Sequence, residues 1–104
     1  MISQEQIQNV VNIIVNNFHP DKIILFGSYA SGTATEDSDL DLIVVKDTDL
    51  QPHKRAFDIW MKLKGILIPM DILVYTKKEI EERINEKFTF LFNALKNSRI
   101  LYEC

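Results

Sequence analysis

Apolar and polar residues at the start of the chain alternate with the period of an α-helix. Ser3 with Gln6 forms a capping box, which predicts where this helix begins. His19-Pro20 predicts its end, because proline disfavours helical geometry in the residue before it. Between these limits the apolar side chains recur as one buried stripe, made of Ile7, Val10, Val11, Ile14, Val15 and Phe18.

Three short apolar runs predict β-strands. Lys22–Phe26 has the pattern of a buried strand, and Met70–Tyr75 has a similar one. Asp39–Val45 alternates at first and then becomes fully apolar, as a strand does when one end meets solvent or a ligand. A polar segment, 27–38, separates the first two strands and is too short for a crossover helix. We therefore expect these two strands to pair antiparallel.

Helical patterns follow the second strand and the third. Residues 54–64 predict a helix that crosses over to a parallel third strand and buries Phe57, Trp60, Met61 and Leu63. Lys54 and Arg55 are expected on its solvated side. Thr76 with Glu79 is a second capping box, which starts a charged helix over Lys77–Arg83.

The C-terminal segment predicts a further helix and a short strand at Ile100–Tyr102. Phe90 and Ala94 lie opposite its main apolar stripe, so such a helix needs two surfaces to pack on. One is the sheet, and the other is a second copy of the chain or a different protein. The alternative is that Phe90 is singly exposed, or that the segment is not a regular helix. The stripe itself comprises Phe88, Leu91, Phe92 and Leu95.

These elements predict an α+β fold with a small mixed sheet and helices packed against it. In this sheet the first two strands are antiparallel and the third is parallel to the second. A chain of 104 residues without an internal linker predicts a single domain, residues 1–104.

Composition narrows the function classes. Apolar residues make up 46% of the chain and charged residues 26%, which is typical of a globular domain. The net charge is −3 and no basic run is present, so nucleic acid is not an expected partner. Neither a signal peptide nor an apolar run long enough for a membrane span is recognisable. Cys104 is the single cysteine, which excludes an internal disulfide and predicts a cytoplasmic protein.

Asp39 and Asp41 are the first candidate site residues. Side chains two apart on a strand point to the same face, about 7 Å apart along it. Two carboxylates on one face repel each other, and a divalent cation relieves that repulsion. Oxygen ligands suit Mg²⁺, which also binds substrate phosphates. Taken alone, the pair is more simply explained by an exposed strand end.

Gly27-Ser28 follows the first strand directly and precedes a segment that predicts a helical turn. Glycine lets a phosphate approach the backbone, and amides at a helix start bind anions. Gly32 permits a tight return of the chain. By itself Gly-Ser also fits a plain turn, but the predicted pairing of the first two strands places it beside Asp39 and Asp41.

Asp71 is the third acidic candidate. It lies near the start of the third strand in an apolar run, where an isolated buried charge is unfavourable. If the third strand neighbours the second, Asp71 faces the other two aspartates. It then completes a metal site or acts as a general base on a hydroxyl group. The alternative is an exposed residue at the strand start.

The residues quoted resemble the signature of the DNA polymerase beta-like nucleotidyltransferases. The resemblance rests on Gly27-Ser28 with Gly32, on Ser38-Asp39-Leu40-Asp41-Leu42 and on Asp71, and it extends over essentially the whole chain. The short length is similar to that of the minimal nucleotidyltransferase (MNT) group. The resemblance implies the polymerase beta-like fold.

The resemblance also implies a role for each residue. Gly27 and Ser28 would hold the phosphates of a nucleoside triphosphate, such as ATP. Asp39 and Asp41 would bind Mg²⁺, with Asp71 as a third ligand or as the base. The reaction would be attack of a hydroxyl group on the α-phosphate with release of pyrophosphate.

A partner protein is implied as well. Members of the MNT group act with a small helical HEPN protein, as antitoxins that in some cases attach AMP to a tyrosine of the HEPN toxin. Ser31 departs from the common pattern, because many members carry an arginine there. Loss of that cation would weaken the contact with the phosphates. The sequence therefore leaves open a non-catalytic module that neutralises a toxin by covering it. Transfer to a small molecule such as an aminoglycoside is a third interpretation, which is disfavoured because we do not expect this short chain to carry the extra domain that would enclose such an acceptor.

Overall fold

The computed structural model of the chain describes residues 1–86 and 89–104. In chain order, the elements are α1 (Gln4–Phe18), β1 (Lys22–Phe26), α2 (Ser28–Ser31), β2 (Leu40–Val45), a 3₁₀ turn (Pro52–Lys54), α3 (Phe57–Lys62), β3 (Met70–Tyr75), α4 (Lys77–Arg83), α5 (Phe90–Lys96) and β4 (Arg99–Glu103). No helix within the described residues is long and apolar enough to cross a membrane.

Both predicted capping boxes are present. The Ser3 side chain accepts from the backbone of Gln6, whose side chain in turn accepts from the backbone of Ser3. Thr76 and Glu79 make the same reciprocal pair at the start of α4. At the end of α1, His19 adopts a left-handed conformation with φ of 48°, and the chain then turns into β1. These two helices, α1 and α4, therefore begin where the capping boxes predict.

The four strands form one mixed sheet in the order β3-β2-β1-β4. β1 pairs antiparallel with β2, and β2 pairs parallel with β3. These pairings confirm the predicted α+β class and the predicted directions of the first three strands. β4 lies antiparallel to β1 at one edge of the sheet, a position that the sequence pattern does not predict.

The sheet is covered on both faces. One face, here called the α1 face, packs against the stripe of α1, against Ile59 of α3 and against Leu63, which caps the end of α3. The other, here called the α5 face, packs against Leu91, Ala94 and Leu95 of α5. Side chains alternate along each strand, so Leu42 and Val44 belong to the α1 face and Ile43 and Val45 to the α5 face.

The structure corrects the prediction for residues 54–64. The α-helical part is only Phe57–Lys62, and the expectation that Phe57, Trp60 and Met61 are buried is wrong. Their exposed fractions are 65%, 39% and 52%. The short crossover touches the sheet on one side only, where Ile59 and Leu63 are buried. Since these two residues are four apart, they lie on the same side of the helix and turn the larger side chains outward.

The structure corrects the predicted orientation of the C-terminal helix. Ala94 packs on the sheet with Leu91 and Leu95, so its assignment to the outer side is wrong. Phe90 is exposed, at 55% of its surface. Phe88, the first residue of the predicted stripe, lies outside the described residues.

Arg55 ties α4 to the segment before α3. Its Nε donates to the carbonyl of Leu50 at 2.9 Å, and its Nη1 donates to Glu79 Oε1 at 2.6 Å. The side chains of Arg55 and Glu79 are only 8% and 19% exposed, so Arg55 does not lie on a solvated helix side as expected. The hydrogen bond from Arg55 is the main cause that lowers the pKa of Glu79.

Arg55→Gln is expected to lower the free energy of unfolding at pH 7 by about 2 kcal/mol, because a charged hydrogen bond is lost. A carboxyl whose pKa is lowered on folding stabilises the native state above its unfolded pKa, and this contribution is lost as the pH falls. The difference in the free energy of unfolding between the variant and the wild type should therefore shrink when the pH falls below 4.5, the ordinary pKa of a glutamate. Urea unfolding at several pH values measures it. Lys78→Gln, which removes the exposed pair with Glu82, should change stability by less than about 0.5 kcal/mol; an equal loss in both variants would contradict this account of Arg55.

Candidate active site

The predicted site residues meet at one end of the sheet. β1 ends there, whereas β2 and β3 begin there. Asp41 lies opposite Phe26 in the β1–β2 register and beside Asp71 in the β2–β3 register. Gly27 follows Phe26 directly, and Asp39 immediately precedes β2. Strand pairing therefore brings Gly27, Asp39, Asp41 and Asp71 together.

Asp41 and Asp71 share the α5 face. Residues in register on neighbouring strands point to the same side, with about 4.8 Å between the strands. Asp39 precedes Asp41 by two residues, so continued alternation places it on that side as well. Asp71 and Asp39 are exposed, while Asp41 is partly buried. The arrangement is a row of acidic groups open to solvent with Asp41 at its centre.

The electrostatics of Asp41 reflect this proximity. Its pKa is raised above the ordinary value, first by burial and then by the negative charges of Asp71 and Asp39. Ionisation of Asp41 is therefore less favourable in the folded protein than ionisation of an ordinary aspartate. A cation among the three carboxylates would offset this repulsion.

Gly27 lies against this carboxylate. Its φ of 73° and ψ of −156° are accessible to glycine but unfavourable for other residues. A Cβ built on Gly27 would collide with the Asp41 side chain, lying 3.1 Å from Cγ and closer still to Oδ2. Glycine is thus required both by the backbone conformation and by the approach of Asp41.

Ser28 starts the short helix α2 immediately after this turn, as the sequence predicts. The amides of Ala30 and Ser31 both bond to the Gly27 carbonyl at 3.1 Å. These two amides are therefore occupied, whereas those of Ser28 and Tyr29, the first of the helix, have no intrahelical acceptor and are available to an anion. Ser31 is exposed, and its hydroxyl lies 2.9 Å from that of Thr33. Ser31 therefore offers a hydroxyl group at the position where the common pattern of the MNT group has a positively charged arginine.

The donor set fits Mg²⁺. As the side chains stand, no three His, Cys, Asp or Glu residues in segments 1–86 and 89–104 are grouped to hold a metal ion. Mg²⁺ nevertheless binds through one or two carboxylates, with waters and substrate phosphates completing its octahedron. Asp41 with Asp71 or Asp39 supplies such a pair. The roles of these aspartates, and of Gly27 and Ser28, stay predictions supported by this geometry.

Phe90 also lies near the site, although nothing in the sequence pattern connects this residue with the carboxylates. Its ring lies 5.8 Å from that of Phe26, in an edge-to-face arrangement with an interplanar angle of 86°. Residue 90 lies far from Asp41 along the chain, and only the packing of α5 on the sheet joins them.

Comparison with known proteins agrees with the fold and with the expected family. A family model described as "Polymerase beta, Nucleotidyltransferase" matches residues 8–104. A protein of Methanocaldococcus jannaschii named "Putative protein adenylyltransferase" is 35% identical over 98% of this chain and 100% of its own length. A crystal structure described as that of "a putative nucleotidyltransferase from Sulfolobus solfataricus" superposes with a TM-score of 0.67, at 17% identity, over 93% of this chain and 77% of that one. This last similarity concerns the fold alone.

The fold and the acidic site thus define a nucleotidyltransferase domain. More particularly, the chain belongs to the polymerase beta nucleotidyltransferase family, whose model covers nearly all of it. The predicted minimal nucleotidyltransferase domain is confirmed, and the activity class is transfer of a nucleotidyl group.

Asp41→Asn is expected to leave the metal-free protein as stable as wild type, or slightly more stable, at pH 7. A carboxyl whose pKa is raised on folding favours the native state only below its unfolded pKa, and this contribution is lost as the pH rises through the folded pKa. Asparagine carries no negative charge for Asp71 and Asp39 to repel. Chemical unfolding in the presence of a chelator measures the effect, and a clear loss of stability would show that the Asp41 carboxylate is a structural group.

Proposed function

We propose that the chain transfers AMP from ATP to a hydroxyl group of a partner protein, with Mg²⁺ held by Asp39, Asp41 and Asp71. The observation that carries the proposal is the pairing of Asp41 with Asp71 on neighbouring strands, next to the glycine turn at Gly27. The name of the Methanocaldococcus jannaschii relative, which specifies protein adenylyltransfer, supports AMP and a protein acceptor.

Each residue has a chemical task in this proposal. Gly27 and the amides after it receive the phosphates of ATP, while Ser28 adds a hydroxyl donor. Bound Mg²⁺ would neutralise charge on the phosphates and on the carboxylates that hold it. The acceptor oxygen forms a bond to the α-phosphorus as the bond to the bridging oxygen breaks and pyrophosphate leaves. Asp71, which is exposed beside Asp41, takes the proton of the acceptor hydroxyl or shares the metal.

We further propose that the partner is a HEPN-type helical protein, for which this chain acts as the antitoxin. The expectation comes from the resemblance to the MNT group. The exposed apolar side chains of Phe57, Trp60 and Met61 on α3 support a protein partner, because aromatic residues and methionine are enriched in interfaces. A cytoplasmic location belongs to the same proposal and rests on the single cysteine.

A binding module without catalysis is the second candidate. One observation favours it: α3 packs on the α1 face, whereas the carboxylates lie on the α5 face. A partner held by the exposed side of α3 would not need the acidic site. The neutralising and the catalytic roles are therefore separable by mutation.

Transfer of α-labelled nucleotide tests the leading candidate. The protein is incubated with α-labelled ATP, Mg²⁺ and a HEPN-type helical protein as the candidate partner, and this partner is examined for label. The proposal expects labelled partner with wild type and none with Asp39→Ala/Asp41→Ala. Unlabelled partner under all conditions, or full labelling by the double variant, would contradict it. If the double variant still protects cells against the toxin, binding alone suffices.

A further inference from the structure

Phe90 has a large apolar side chain that is exposed to solvent near the acidic site. It is the first residue of α5, and 55% of its surface is exposed, whereas the adjacent Leu91 is buried. The ring is nevertheless fixed on one side, since it meets Phe26, which is only 7% exposed. One part of the Phe90 ring is therefore packed against Phe26, and the rest is accessible to a ligand.

The position of this ring relative to the carboxylates follows from the strand register. Phe26 and Asp41 are cross-strand partners, and both side chains lie on the α5 face. Directly opposed residues on antiparallel strands have Cα atoms about 5 Å apart. Because the Phe90 and Phe26 ring centroids are 5.8 Å apart, the exposed ring lies on the order of 10 Å from Asp41. A ribose with its α-phosphate spans such a separation.

We propose that Phe90 stacks on the base of the bound nucleotide, and that the preferred substrate is a purine nucleoside triphosphate. This inference rests on the proposed function, because it assumes that the phosphates lie at the carboxylates. An aromatic ring stacks on any base, since every base has a π-face, and preferences follow stacking strength. The larger purine ring system covers more of the Phe90 ring than a pyrimidine does.

The chemistry of the neighbourhood agrees with this assignment. The row of carboxylates attracts the metal-bound phosphates but offers nothing apolar to the base. The ring of Phe90 supplies that apolar surface on the same face of the sheet, and its contact with Phe26 holds it before the nucleotide arrives. A ring that is already fixed loses little conformational freedom when the base stacks on it.

Equilibrium binding of two ligands tests the proposal. ATP and inorganic triphosphate are titrated into the protein in the presence of Mg²⁺ by calorimetry. Both carry the phosphates, but only ATP carries a base. Phe90→Leu keeps an apolar side chain against Phe26 without an aromatic face, and Phe90→Tyr restores the face. Leu50→Ala is the control, because Leu50 is similarly exposed, at 47%, at the opposite end of β2.

Phe90→Leu is expected to weaken ATP binding by about 10- to 100-fold, as for the loss of one base–aromatic stack, and to leave triphosphate binding unchanged. Phe90→Tyr and Leu50→Ala should bind both ligands as wild type does. The wild type should bind ATP more tightly than CTP, and this difference should shrink in Phe90→Leu.

Three outcomes would overturn the proposal. Equal ATP binding by wild type and Phe90→Leu would contradict only the assignment of Phe90. Weaker binding of the partner protein with unchanged ATP binding would place Phe90 in a protein interface instead. A wild-type protein that binds neither ATP nor triphosphate would contradict the proposed function itself, and this inference with it.

Discussion

Replacing Asp41 with asparagine is expected to reduce the rate of nucleotide transfer by about 10²- to 10³-fold, which is the typical loss when one electrostatic group at a reaction centre is removed. Asp41 is the central carboxylate, flanked by Asp71 on β3 and preceded by Asp39. Asparagine keeps the shape of the side chain but not the charge that binds a cation. Asp71→Asn should also lose most activity. The measurement is the initial rate of label transfer from α-labelled ATP.

Asp49→Asn is the matched control for these variants. Asp49 is exposed in the loop after β2, at the end of the strand remote from the site. Its substitution changes the net charge by the same amount and should leave the rate unaltered. If Asp41→Asn retained more than half of the wild-type rate, the carboxylate row would not be the reaction centre. Equal losses in Asp41→Asn and Asp49→Asn would indicate an effect of net charge.

Replacing Gly27 with alanine is expected to damage both stability and activity. The positive φ should cost about 1–3 kcal/mol of stability, as for a non-glycine residue in a sparsely populated region. The added Cβ would also displace the Asp41 carboxylate. Displacement of a reacting group by about 1 Å can lower a rate by about 10²-fold. Thermal unfolding and the label-transfer rate measure the two effects separately.

Gly65→Ala separates backbone strain from displacement of Asp41. Gly65 has a φ of 96°, yet a Cβ at this position meets no atom within 4 Å. This variant should lose stability to a similar degree while keeping the catalytic rate at a temperature where it is folded. If both variants lost activity equally, general destabilisation would explain the effect, and contact between Gly27 and Asp41 would not matter.

The acidic site could be predicted from sequence because strands impose simple geometry. Alternation with a period of two places Asp39 and Asp41 on one face. The short connection after β1 favours antiparallel pairing, and a crossover helix favours a parallel third strand, which aligns Asp71 with Asp41. From the sequence, Gly27 is expected only as part of a phosphate-binding turn. The structure adds a second reason for glycine at this position, because a Cβ there would collide with the Asp41 carboxylate.

The helices were harder to predict because an apolar pattern does not show which stripe faces the core. For the helix before β3, the sequence predicts that Leu63 is buried together with larger side chains. Leu63 is buried with Ile59, but Phe57, Trp60 and Met61 are exposed. Arg55 has the pattern of an exposed residue, yet its partners come from Leu50, Val74 and Glu79. Such contacts depend on tertiary packing, as does the approach of Phe90 to Phe26.

A crystal structure with Mg²⁺ and a non-hydrolysable ATP analogue tests the central claim most directly. The account predicts an ion bound by Asp41 together with Asp71 or Asp39, with carboxylate oxygens about 2.1 Å from it, and with phosphates beside the Gly27 turn. An ion and a nucleotide bound away from these aspartates, at full occupancy, would contradict the account.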